Sequence, residues 1–98
     1  MSVEIEETIR RLQSQKGVKG VIVCNTEGDL IKSSLPAEET EHFVSLLTQL
    51  TVKAIATITS LDSSDSLSLL RLRSKNHEIM IVPDNDYMMI VVHDPQLS

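Results

Sequence analysis

Three histidines, one cysteine and two short basic clusters are the side chains that chemistry could recruit in this chain. Imidazole and thiolate groups such as His42, His77, His93 and Cys24 bind zinc when they converge at tight spacings. Here they lie in separate parts of the chain, and no metal site follows from their spacing. Asp84-Asn85-Asp86 faintly resembles the start of a calcium loop, but the alternating ligands, central Gly and closing Glu are missing. Gly17 and Gly20 flank a helix–strand junction with no Lys-Ser or Lys-Thr pair behind them, so no phosphate cradle is formed. None of the serines sits in a nucleophile elbow. Arg10-Arg11 and Arg71-Leu72-Arg73-Ser74-Lys75 are basic islands on an acidic protein. Solvent contact or weak ion pairing accounts for both, and attraction to an acidic protein segment is the functional alternative. The expectation is therefore a protein without catalysis, cofactor or metal.

Composition narrows the partners. The chain of 98 residues has room for one domain, expected to span 1–98. A net charge of -5 makes nucleic acid and anionic membranes poor partners. Phe43 and Tyr87 are the only aromatic residues besides histidine, too few for a base-stacking platform. Cys24 has no partner for an internal disulfide, which fits a reducing compartment, and its run Val21-Ile22-Val23-Cys24 reads as a buried strand. The acidic start, Met1 to Glu7, lacks the pattern of a secretory signal, and no apolar run approaches membrane-spanning length. A soluble intracellular protein is expected.

The elements follow from punctuation and periodicity. Ser2 can cap a first helix with Glu4, Glu6 and Glu7 near its start, Arg10, Arg11 and Lys16 toward its end, and Gly17 as its stop. Ile5, Ile9 and Leu12 form its narrow apolar stripe. Gly20–Cys24 and Leu30–Ser33 make a hairpin about the turn Asn25-Thr26-Glu27-Gly28. Glu38 to about Leu61 contains no Gly or Pro and reads as one long helix. At ~100° per residue, Phe43, Leu46, Leu47, Leu50, Ala54, Thr57, Ile58 and Leu61 share the face expected to meet the core. Val44, Thr48, Thr51 and Ile55 form a softer stripe on the adjoining flank. That flank meets either a second copy of the helix, or a loop or water, as its threonines would allow. Strands are expected over Ser66–Arg73, Glu78–Val82 and Tyr87–His93, with short turns that make neighbours antiparallel. Met88-Met89-Ile90-Val91-Val92 has no polar face, so both faces of that strand need cover. The short first helix covers only part of one face, which leaves apolar sheet surface for a partner.

In the strand Ser66–Arg73, Leu67 and Leu69 point one way with Arg71 and Arg73, while Ser68, Leu70 and Leu72 point the other. The arginines either discourage stray edge pairing or flank a seam with a second copy of the same strand.

The run Arg11-Leu12-Gln13-Ser14-Gln15-Lys16-Gly17-Val18-Lys19-Gly20 and the Val21–Ser33 hairpin, with Leu70-Arg71-Leu72-Arg73-Ser74-Lys75 and Glu78-Ile79-Met80-Ile81-Val82-Pro83-Asp84, closely resemble the roadblock family of dynein light chains. The resemblance runs over nearly the whole chain, in order. It implies an α/β (α+β) fold, helix-strand-strand-helix-strand-strand-strand, with an antiparallel five-stranded sheet between a long helix and a short one in a roadblock/profilin-like sandwich. It implies a non-catalytic homodimer joined through the long helices and third strands. Val44, Leu47, Thr48, Thr51 and Ile55 would then meet across the helices, and Leu67, Leu69, Arg71 and Arg73 across the strands. The implied partner is a segment of the dynein intermediate chain, in cargo attachment or assembly for microtubule-based movement. Ile5, Ile9, Leu12 and Arg10, with Met88 and Ile90, are the expected contacts. A close paralogue could replace one copy, and location would be cytoplasmic and cytoskeletal, or axonemal in a cilium. Other proteins of this fold regulate or recruit small Ras-like GTPases, the alternative role.

Overall fold

The computed structural model describes residues 3–96. Helix α1 spans Val3–Gln13, and the hairpin β1 (Val18–Asn25) and β2 (Leu30–Ser33) follows it. Helix α2 spans Ala37–Leu61, and β3 (Leu70–Arg73), β4 (Glu78–Asp84) and β5 (Tyr87–His93) complete the chain. The strands form one sheet in the order β2-β1-β5-β4-β3, with every neighbouring pair antiparallel. The expected element order and five-stranded sheet are observed. The Ser2 cap expected for α1 lies outside the described residues.

Turn chemistry places the strands. In the β1–β2 turn the Asn25 carboxamide oxygen accepts the backbone N–H groups of Glu27 and Asp29, and Gly28 takes φ 92°. That conformation is open to glycine at little steric cost. Asn85 plays the same part between β4 and β5 at φ 51°. β4 runs on to Asp84 through Pro83, past the last pair with β3, where one side of the strand is a free edge. β3 is shorter than expected. Only Leu70–Arg73 pair with β4, and residues 66–69 have no neighbouring strand among the described residues.

The two sides of the sheet carry separate cores. On one, Ile22, Cys24, Ile81, Met88, Ile90 and Val92 pack beneath Val44 and Leu47 of α2. On the other, Val21 and Val23 pack beneath Ile9 of α1, with Ile5 and Leu12 beside it. Alternation along β1 sends successive side chains to opposite cores, which is why its middle has no polar position. α1 sits over β1, and a carbonyl of Lys16 and the His93 ring join its exit to β5.

α2 lies on the sheet by a different face from the one expected. Thr40, Val44, Leu47, Thr48 and Thr51 are its buried residues, whereas Leu46 is 55% exposed, Leu50 41% and Leu61 79%. The sheet below already carries the bulky Ile22, Ile81, Met88 and Ile90, so short β-branched helix residues permit the closest approach. The Thr48 hydroxyl donates back to the Val44 carbonyl, and Thr40 shares its hydroxyl with Ser33, so both bury their methyl groups at little polar cost. The larger leucines stay outside. The expectation that no stretch reaches membrane-spanning length is also corrected. By length and composition alone α2 is long and apolar enough, with mean hydropathy 1.4 over its best window, of which 22% is buried on the sheet.

Candidate interaction surfaces

Among the described residues, three surfaces stand out as places that could receive a partner. The first begins on α2, where Leu46, Leu50, Ala54, Ile58 and Leu61 step along one flank at helical spacing. Phe43 fixes the direction of that flank. Its ring meets His77, between β3 and β4, edge to face at 6.3 Å, so the leucine row looks toward the β3 edge. Leu69, 46% exposed, lies in the chain just before β3. The outer backbone edge of β3 has no strand beside it in the order of the sheet.

Arg71 and Arg73 alternate with Leu70 and Leu72 along β3. The leucines turn into the α2-side core, which sends both arginines to the α1 side. There they flank Glu78, whose carboxylate is buried at 4% exposure. Arg71 Nη2 lies 3.1 Å from Glu78 Oε1, and Arg73 Nη1 lies 3.5 Å from Oε2. The hydrogen bond from Arg71 does most to hold the Glu78 carboxyl below its ordinary pKa, against burial, with both guanidinium charges adding to the effect. His93 stands behind, its Nδ1 3.9 Å from Glu78 Oε1. Its Nε2 lies 3.2 Å from the Lys16 carbonyl; a carbonyl only accepts, so Nε2 carries the hydrogen.

The second surface is an open groove of about 1080 Å³ on the opposite flank of α2, between Val52 and Ala56 of the helix and Leu30 of β2. Thr48 and Val44 form part of its floor, and Glu27, Glu41 and Lys53 stand at its rim. The third is a smaller groove of about 470 Å³ between α1 and β2, lined by Glu6, Ile9, Arg10, Gln13, Ser14 and Lys32. Lys32 and Glu6 face each other there at 3.9 Å, both about half exposed.

The residues expected at these surfaces divide accordingly. Arg71, Arg73 and Leu69 are exposed together at the β3 edge, with Leu67 half-buried beside them. Arg10 is exposed, and Ile5 and Leu12 are half-buried beneath α1. Ile55 is half-buried, but Val44, Leu47, Thr48 and Thr51 are taken up against the chain's own sheet. They seat the helix on its own sheet, and of them Val44 and Thr48 also show at the floor of the groove beside Leu30. Met88 and Ile90 are fully buried under α2, on the opposite side of the sheet from α1. They cannot join Ile5, Ile9 and Leu12 in one contact. Alternation explains the correction: Met89 and Val91 are the β5 residues on the α1 side. Sequence reasoning also missed Leu46, Leu50, Val52 and Leu30 as outward residues. The first two lay in the apolar row assigned to the core.

Among the described residues no three His, Cys, Asp or Glu side chains gather as a metal site. Cys24 is wholly buried, and burial pushes its thiol up to about 11, so it is held as an unreactive core group.

A family model for the Roadblock/LC7 domain matches residues 4–94. The fold is similar to a Roadblock/LC7 domain from Streptomyces avermitilis, with TM-score 0.82 at 8% identity over 92% of this chain and 78% of that one. It is similar to Myxococcus xanthus MglB, with TM-score 0.79 at 18% identity over 98% of this chain and 80% of that one. An MglB with a tetrameric arrangement superposes with TM-score 0.81 at 8% identity, covering 96% of this chain and 73% of that one. At these identities the likeness concerns the fold, and the family is carried by the match along the sequence. With its helix-hairpin-helix-sheet order and a match over nearly every described residue, the chain belongs to the Roadblock/LC7 domain family.

Proposed function

We propose that this chain is a non-catalytic, self-associating regulator or scaffold of a small Ras-like GTPase. The observation that carries the reading is the α2 leucine row running into the free β3 edge. Leu46, Leu50 and Leu61 on one flank of α2, with Leu69 exposed beside the edge strand, are too large for surfaces meant only for water. A second copy placed about a two-fold axis would join β3 to β3 and α2 to α2 in one contact, covering the row and extending the sheet. The tetrameric MglB supports self-association as a use of this fold. Between the two roles that the family resemblance implies, the similar solved structures support the GTPase role. They are roadblock and MglB proteins of bacteria and not dynein subunits.

A second reading, a dynein light chain holding an intermediate-chain segment in the cytoplasm or axoneme, is favoured by the Arg11–Gly20 and Leu70–Asp84 runs. Affinity purification with the full chain, in GTP analogue and in GDP, separates the two. A Ras-like GTPase whose recovery changes with the nucleotide supports the first. Dynein intermediate and heavy chains, recovered equally in both, support the second. Recovery of neither overturns both.

A further inference from the structure

We propose that Glu78 is the built-in counter-ion of the self-association edge: it lowers the charge of the arginine pair on β3 so that two copies can meet there. The inference rests on the self-association reading above and adds a residue that controls it. An edge strand with two arginines on one face is, taken alone, a device against pairing. A two-fold axis through an antiparallel seam keeps the same side of the sheet on the same side in both copies. Arg71 and Arg73 of one copy would then stand on the same face as those of the other, and like charges across neighbouring strands oppose pairing.

Glu78 changes that balance from the next strand inward. It is opposite Arg73 in the β3–β4 register and one diagonal step from Arg71. Its carboxylate touches one arm of each, at 3.1 and 3.5 Å, and is itself out of water. The arginine side chains remain 57% and 60% exposed, so the charge they present outward is tempered without being hidden. Each edge then offers one net positive charge in place of two. Because Coulomb energy follows the product of the charges, repulsion between two copies falls roughly fourfold. Other groups around the carboxylate do not supply this compensation. His93 faces it with Nδ1, Lys16 reaches His93 only through its carbonyl, and the Pro95 carbonyl takes an arm of Arg73. Burial gives Glu78 a further advantage over a surface carboxylate, since its attraction to the guanidinium groups is less screened by salt.

The experiment measures self-association of the full chain by sedimentation velocity at low and high sodium chloride. Wild type, Glu78→Gln, and Glu78→Gln combined with Arg71→Gln are compared, with circular dichroism checking that each is folded. The expected result is a dimer dissociation constant raised on the order of tenfold by Glu78→Gln at low salt, a shift that a few like-charge contacts would produce. High salt should close the gap, and the added Arg71→Gln should restore the wild-type value. A carboxylate serving only to hold β3 onto β4 would give no rescue by salt or by removal of an arginine. A Glu78→Gln dimer as tight as wild type at low salt overturns the proposal while self-association stands. A wild type that is a single subunit at every concentration overturns the self-association reading and this proposal together. Should Glu78→Gln not fold, Arg71→Gln alone decides. It should tighten the wild-type dimer at low salt and flatten its salt dependence, and an unchanged salt dependence overturns the proposal.

Discussion

Glu78 and Thr51 are two buried polar groups with opposite consequences. Glu78 has charged partners, and its depressed pKa means that folding favours the ionised carboxylate. Its contribution to stability is therefore complete above the unfolded-state value, about 4.3 for glutamate. It is lost as the pH falls through the lower, folded value. Chemical denaturation between pH 6 and pH 3 should show wild type losing stability in the acid range and Glu78→Gln losing less. Because the arginines are more than half exposed, added salt should reduce the difference. Thr51 is fully buried, yet its hydroxyl has no hydrogen-bond partner among the described residues. Thr51→Val keeps the shape and removes the orphan group, so it should raise unfolding free energy by about 1 kcal/mol. A loss of stability in urea titration would mean that the hydroxyl is satisfied in solution. Neither residue was legible from pattern alone. A glutamate opening a strand reads as solvated, and only register brings Arg71, Arg73 and His93 around it.

The elements themselves were largely written in the sequence, because Gly17, Gly28 and Asn85 mark the turns and the apolar runs between them have strand or helix length. The face of α2 was not. Hydrophobicity ranked Leu46, Leu50 and Leu61 above Thr40, Thr48 and Thr51, but room above an already bulky sheet decided the matter. A helix that can touch two different things has two faces, and size sorts them better than polarity here. β3 was read too long for a related reason. Residues 66–69 have the alternation of a strand but no strand neighbour among the described residues. Close approach also governs the junction before α2. A Cβ on Gly20 would overlap Leu35 at Cγ and at both methyl carbons, so Gly20→Val must push that leucine out of the core. A loss of about 2 kcal/mol is expected from such overpacking, read from the midpoint shift in urea. Stability unchanged within error would show that Leu35 has somewhere else to go.

For the whole molecule, the radius of gyration of 13.4 Å is that of a compact domain of this length. The chain still leaves an apolar flank of its longest helix uncovered. Leu50→Asp and Leu69→Asp place a charge at the two ends of the proposed contact, one on the helix and one beside the edge strand. Each should yield single subunits in sedimentation at concentrations where wild type is paired, with unchanged helix content. A stable Leu69→Asp dimer would remove the strand seam from the account, and a stable Leu50→Asp dimer would remove the helix flank. Fold class was legible at this scale and the partner was not, since the resemblance offered motor and GTPase roles together and the exposed leucines of α2 do not name what would cover them.

Cys24 supplies a clock inside this architecture. Its sulfur is sealed near the hairpin end of β1, which lies between β2 and β5, and its proton is held far above neutral pH. A thiol-reactive dye can therefore label it only when this end of β1 parts from β2, β5 or the helix above. The labelling rate would time how often that happens, and a partner that clamps the domain should slow the clock without touching the sulfur.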